Sequence, residues 1–303
     1  MNKKIYEFEV IKGFILSNIF AFIVIAVSRF LKPDPGIFVY AEFVIVPLLM
    51  GIISAWCWKN MEIKGKRLTG FSCLNGALAI LLSAIFLGEG VICLVIVSPL
   101  IFAFIITGVF IGRAMFRKDN TNLNISIFSF LFMLFIVDSV SKHHYENLVS
   151  DVIVINAPAK EVWKHVVAFK QIEKKNEFWL FRIGMPSPVA ATVDGYYEGA
   201  GRKCIFSNGY IFDEKIVVYR PGQDLTFDIV NQPKDPEIMG HIDILRGQFL
   251  LKDNGNGTTT LTGNSWYRLY VFPLWYYDVW AESITRNVHL RVMEHIKELS
   301  ESR

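Results

Sequence analysis

A chain of 303 residues, 52 % hydrophobic with a formal net charge of +3, has room for two domains and lacks the charge for a nucleic-acid surface. Its mean hydropathy of +0.37 arises almost wholly before Ser141. From Ser141 onward there are 19 Lys+Arg against 20 Asp+Glu, so the basic excess belongs to the first half, and four cysteines without paired spacing exclude a disulfide framework or a zinc site.

The first half contains five apolar stretches, at residues 13–31, 38–58, 71–87, 91–111 and 123–140. Each matches the length of a helix that crosses hydrocarbon, so residues 1–140 are expected to form a transmembrane helix bundle. Lys32-Pro33-Asp34-Pro35-Gly36 and Gly88-Glu89-Gly90 punctuate it as turns. The first run exceeds a signal-peptide core and no small-x-small site follows, which makes it an anchor. Short loops on one face would collect Lys3, Lys4, Lys12, Lys59, Lys64, Lys66, Arg67, Arg113, Arg117 and Lys118, against Arg29, Lys32 and Lys142 on the other. That bias predicts a multi-pass cell-membrane protein with its N-terminus in the cytoplasm. After five crossings, the C-terminal domain is expected on the extracytoplasmic side. Glu42, with Arg29 as a possible partner, and Asp138 lie near span ends, where interfacial placement accounts for them. No internal repeat of a transporter kind is present, so the spans read as a platform.

Residues 141–150 read as a linker and 151–303 as a soluble domain. Residues 151–156 form a strand with apolar side chains on both faces, which predicts burial. Pro158 then opens a helix with Val162, Trp163, Val166 and Phe169 at helical spacing. A short helical piece is expected over 171–180. Strands follow at 202–207, 210–219, 224–230, 241–253 and 258–270, separated by Asn208-Gly209, Pro221-Gly222 and 254–257, which are turn sequences that pair consecutive strands antiparallel. A last helix over 274–299 carries Trp280, Ile284, Val288, Val292, Ile296 and Leu299 as one stripe, with Glu282 and Arg286 paired outside it.

The order of elements, with Asn156-Ala157-Pro158-Ala159-Lys160-Glu161-Val162-Trp163 at its start, resembles the START-like or SRPBCC superfamily of polyketide cyclases/dehydrases and lipid-transport domains. Gly199-Ala200-Gly201-Arg202, Phe206-Ser207-Asn208-Gly209, Glu214-Lys215-Ile216, Arg220-Pro221-Gly222 and Leu225-Thr226-Phe227 extend the likeness. The resemblance covers about half the chain and implies an α+β helix-grip fold, in which an antiparallel sheet wraps the last helix around a hydrophobic cavity. The membrane half resembles no family.

For such a cavity the expected ligand-binding residues are Arg202, Tyr197, Phe206, Tyr210, Phe227, Trp266, Tyr267, Tyr277, Trp280 and Ile284. Tyr and Trp offer an apolar body with a polar handle, and a guanidinium can hold a carboxylate or phosphate. Glu214, Asp228, Arg246 and His289 are further polar candidates. His241 and Asp243, two apart on an expected strand, are catalytic candidates as a carboxylate-oriented base, though no nucleophile motif accompanies them. His143-His144 with Glu146 lack a third ligand, so no metal is expected, and phosphate-loop and dinucleotide fingerprints are absent, so no cofactor is expected. The leading expectation is a membrane-tethered domain that binds or transfers a hydrophobic or lipid-like small molecule beside the lipid bilayer. One alternative is a cyclase- or dehydratase-type enzyme on an apolar substrate. Another is a membrane-associated protein-interaction module, whose protein partner the residues do not identify.

Overall fold

The computed structural model describes residues 3–31, 41–88, 90–117, 126–127, 129–133, 136, 145–234 and 241–302. These fall into two compact units, an N-terminal helical one and a second built from His144–Tyr270 and Leu274–Arg303.

The helical unit contains α1 (Lys3–Leu31), a π-helical turn at Ala41–Ile45 that leads into α2 (Val46–Cys57), α3 (Gly65–Phe86) and α4 (Val91–Arg117). Among the described residues three helices are long and apolar enough to cross a membrane, over Lys4–Val27, Gly65–Phe86 and Val91–Phe116. The second expected span is represented by a shorter apolar helix, Phe43–Cys57. The fifth, at 123–140, falls largely outside the described residues, of which 126–127, 129–133 and 136 are helical. The side chains of Arg29 and Glu42, and the whole of Asp138, His143 and His144, also lie outside them.

Apolar side chains gain little by leaving lipid for each other, so helix pairing in a membrane needs close backbone approach or polar bonds. Both are present. Gly108 and Gly112 on α4 face Gly51 and Ala55 on α2, and a Cβ at Gly108 would stand 2.1 Å from the Leu48 carbonyl oxygen. Asn75 of α3, fully buried, donates to Ser17 Oγ at 3.0 Å and Ser54 Oγ at 3.1 Å, and accepts from Asn18 Nδ2 at 2.8 Å. One amide thereby ties α1, α2 and α3 together. A recess of about 700 Å³ walled by Phe20, Leu49, Ile53, Trp56 and Phe116 is apolar throughout and offers nothing to orient a ligand.

The second unit has a helix-grip fold. Strands β1 (Tyr145–Ile155), β2 (Pro188–Val193), β3 (Gly201–Phe206), β4 (Ile211–Arg220), β5 (Asp224–Asn231), β6 (Ile242–Asp253) and β7 (Thr259–Leu269) form one antiparallel sheet in the order β1-β7-β6-β5-β4-β3-β2. Helices α5 (Ala159–Val166) and α6 (Trp179–Arg182) lie in sequence between β1 and β2, and α7 (Leu274–Glu301) closes the unit. The turns that join β3 to β4 and β4 to β5 place Gly209 and Gly222 at φ of +84° and +75°, which only glycine adopts without strain. Register shifts in β2, β4 and β6, the last between Ile244 and Arg246, bend the sheet.

Four elements differ from the sequence reading. Residues 145–150 are strand rather than linker, paired with β7 from Tyr145↔Leu269 onward. Glu146 answers Arg268 across that pair, so its polar residues are cross-strand partners. β1 is an edge strand whose outward Val152 and Val154 are exposed, so only its inner face is buried. β2 was not read as a strand, since Pro188-Val189-Ala190-Ala191 has no alternation, and helix near 171–180 is confined to Trp179–Arg182. The fourth difference is the buried stripe of α7, which runs Tyr277, Ala281, Thr285, His289, Val292, Met293, Ile296 and Ser300. It therefore lies beside the expected stripe in the first half of the helix.

The two-glycine crossing sets a testable limit. Gly108→Ala must push α2 and α4 apart and is expected to cost about 1–3 kcal/mol by overpacking. Thermal unfolding of the detergent-extracted chain should show a marked drop for this variant and little change for Gly70→Ala, whose added Cβ meets nothing within 4 Å.

Candidate functional site

Side chains alternate across a strand, so the inner face of the sheet can be followed from its buried members. Arg202 and Glu214 sit opposite one another on β3 and β4, at 3 % and 5 % exposure. Arg202 forms a salt bridge through Nη1 to Glu214 Oε2 and donates from Nε to the Val167 carbonyl at 2.9 Å. Its guanidinium also lies 4.6 Å from the centre of the Phe227 ring. Phe227 in turn covers Gly247, where a Cβ would meet the ring at 2.5 Å. Burial pushes the Glu214 carboxyl up, against the opposing pull of Arg202. Cys204, one inward step along β3, has its thiol pushed up to about 12 by burial, with the Glu214 carboxylate adding to it. That thiol stays protonated and is no nucleophile.

Along α7 the contacts divide in two. Toward the C-terminus, Val292, Met293 and Ile296 pack with Val162, Val166, Leu225, Phe249 and Leu261 in a filled apolar core. Gly263 makes this possible, since a Cβ there would lie 2.7 Å from Met293 Sδ. Toward the N-terminus, hydrogen bonds replace oil. Tyr267 donates to Asp278 Oδ1 at 2.6 Å, and Asn147 Nδ2 reaches both oxygens of the same carboxylate at 3.1 and 3.2 Å. About three turns further along the helix, His289 Nδ1 contacts Asp151 Oδ2 at 2.9 Å and its Nε2 contacts Ser265 Oγ at 2.7 Å. The neutral tautomer that donates to Asp151 and accepts from Ser265 satisfies both. Arg286 adds a contact to Asp151 Oδ1 at 3.0 Å. Burial pushes the His289 imidazole below its usual range, with Asp151 opposing.

At this same end, several inward apolar side chains are only half-buried: Phe206 and Ile244 on the sheet, and Trp280, Ile284 and Val288 on the helix. Phe206 stacks on Phe212 at 5.0 Å, and Ile244 stands opposite Tyr267. The grip is thus packed at one end and open to solvent at the other, with apolar walls there.

The expected ligand residues divide accordingly. Phe206, Trp280 and Ile284 line the open end, with Tyr267 and Tyr277 buried beside it. Tyr210 is half-buried in the β3–β4 turn. Arg202 and Phe227 are inward but form the floor, and the guanidinium is committed to Glu214 and Val167. Trp266 belongs to the outer face, since its neighbour Tyr267 points at α7, and it stands opposite Leu148 and Arg246. Tyr197 is 60 % exposed in the β2–β3 loop. The catalytic candidates do not meet inside. His241 precedes β6, so strand alternation does not align it with Asp243. The Asp243 carboxylate accepts from the Tyr270 hydroxyl at 2.6 Å and Gln232 Nε2 at 2.8 Å on the outer side of the sheet. Arg246 pairs with Asp228 on that side as well. Among the described residues no group of three His, Cys, Asp or Glu could hold a metal, and Glu146 is paired with Arg268.

The constellation missed from sequence is Asp151, Ser265 and His289. Its members come from β1, β7 and α7, and only the register Asp151↔Gly263, beside Ser265, brings them together.

Two outcomes follow. Arg202→Met strands the Glu214 carboxyl in the floor and is expected to cost about 3–5 kcal/mol, whereas adding Glu214→Leu should recover most of it. Thermal unfolding of the three proteins checks this. Because His289 is held below its unfolded value of 6.5, its contribution is complete above about pH 6.5 and is lost as pH falls toward the folded value. The protection of α7 amides, taken relative to intrinsic exchange at each pH, should therefore fall on acidification, and His289→Gln should flatten that dependence.

Comparison with known proteins gives likeness of fold only. No family model matches the chain, and no curated protein matches it. Similar solved structures include norcoclaurine synthase from Thalictrum flavum, at 10 % identity over 54 % of this chain and 98 % of that one, with a TM-score of 0.38. The Zhui aromatase/cyclase from Streptomyces sp. R1128 has 11 % identity over 52 % and 94 %, with a TM-score of 0.36. A protein from Nitrosospira multiformis has 16 % identity over 52 % and 97 %, with a TM-score of 0.35. At these values nothing about ligand or reaction passes from them to this chain.

Proposed function

We propose that this protein is a membrane-tethered carrier that holds a hydrophobic or lipid-like small molecule at the open end of its grip. The observation that carries this reading is the uneven filling of the interior. Val292, Met293 and Ile296 are buried where they meet the sheet, but Phe206, Ile244, Trp280 and Ile284 present apolar surface that remains accessible. Apolar surface left accessible is unfavourable by roughly 25 cal/mol per Å² relative to burial, so a ligand that covers it is stabilised. Tethering supports the same reading. Helices long enough to span a bilayer precede the domain, and a tether raises the effective concentration of lipid at the binding site without a basic surface.

A second reading, an enzyme on an apolar substrate, is favoured by the Ser265–His289–Asp151 contacts, since a neutral imidazole oriented by a carboxylate is the form a general base takes. Against it, Ser265 sits within a strand paired on both sides, so the amides of that strand are engaged in the ladder and supply no oxyanion donor.

Native mass spectrometry of the full chain released from detergent is expected to show a co-purified lipid-like mass, and Ile284→Trp, which fills the open end, should abolish it without lowering the melting temperature. A chain that carries no such mass and takes up no apolar dye in a saturable manner would overturn the carrier reading.

A further inference from the structure

The open end of the grip is bordered by an exposed aromatic surface that the ligand reading does not require. Trp275 is 72 % exposed, Val279 66 %, Ile183 50 % and Trp179 46 %. Ring contacts join them into one patch: Trp179 to Trp280 at 6.3 Å, Trp280 to Tyr276 at 6.4 Å, and Tyr276 to Trp275 at 5.9 Å. Two elements far apart in sequence, α6 and the first turns of α7, thus build a single face. The acidic groups of these turns are engaged elsewhere, Asp278 with Tyr267 and Asn147, and Glu282 with Arg286. Arg182, exposed between Trp179 and Ile183, adds a positive charge to the edge.

We propose that this patch is a rim that seats the open end of the grip in the interfacial layer of a phospholipid bilayer. The proposal rests on the reading that the N-terminal helices lie in that bilayer. Two observations select lipid as the occupant. First, Trp and Tyr with an apolar body and a polar edge are the side chains that favour the headgroup boundary. Second, the described residues of the patch include Arg182 and no uncommitted carboxylate, a balance that suits phosphate groups. Seated this way, the rim lets an acyl chain pass from bilayer to grip without crossing water.

The full chain is reconstituted into phosphatidylcholine nanodiscs that contain a small fraction of phosphatidylcholine with a diazirine near the acyl carbonyl, irradiated, and mapped by peptide mass spectrometry. Label is expected on Trp275, Val279 and the Trp179–Arg182 turn, as well as on α1, α3 and α4. Trp275→Ser combined with Val279→Ser should lower the α6 and α7 label several-fold and leave the label on α1, α3 and α4 unchanged. Strong label on those three helices with none on Trp275 and Val279 of the parent chain overturns the rim and spares the bilayer reading. Label on Phe206 and Ile284 in place of Trp275 and Val279 likewise overturns it, by placing the lipid inside the grip alone. Absence of label everywhere defeats the bilayer reading and the rim with it.

Discussion

The last helix of the soluble unit is held to its sheet by two different kinds of interaction, and the boundary between them organises everything else in that unit. Past His289 the contact is close and apolar, made possible because Gly263 presents no Cβ to Met293. Before it, three carboxylate- and imidazole-centred contacts fix the helix at a distance set by hydrogen-bond length, with Asp278 and Asp151 as the acceptors. Polar contacts can hold a helix without filling the space on its other flank. Trp280, Ile284 and Val288 keep their partial exposure for that reason, and the interior opens on that side.

A buried ion pair supports the floor of the same interior. Arg202 and Glu214 are costly to desolvate, and the surrounding contacts, a carbonyl from the end of α5 and the face of Phe227, are what make their burial tolerable. Neither group has freedom left for a ligand head. A guest of the proposed carrier would thus be held by shape and apolar contact, which would select for a molecule that is mostly hydrocarbon.

The helical unit would face a different problem in the proposed bilayer, where apolar side chains gain little by facing each other instead of lipid. Close approach at Gly51, Gly108 and Gly112 and the amide of Asn75 provide the specificity that hydrophobicity cannot.

What the residues alone determined was whatever depends on local period and composition: the apolar helices, the turns at Asn208-Gly209 and Pro221-Gly222, the antiparallel strands, the long last helix, and through the Ala157-Pro158 opening the helix-grip fold itself. Burial of β1 on one face only, the strand hidden in 145–150, and the true inner stripe of α7 were beyond reach. Each depends on which strand lies at the sheet edge and which polar side chains find partners, and His289 looks unfit for a core until Asp151 and Ser265 are placed beside it. The same holds for the site. Phe206, Trp280 and Ile284 were legible as apolar side chains on cavity-forming elements. Trp266 pointing outward, Arg202 being consumed by Glu214, and the convergence of Asp151, Ser265 and His289 were decided by register, because one residue of slip along a strand exchanges its inside for its outside.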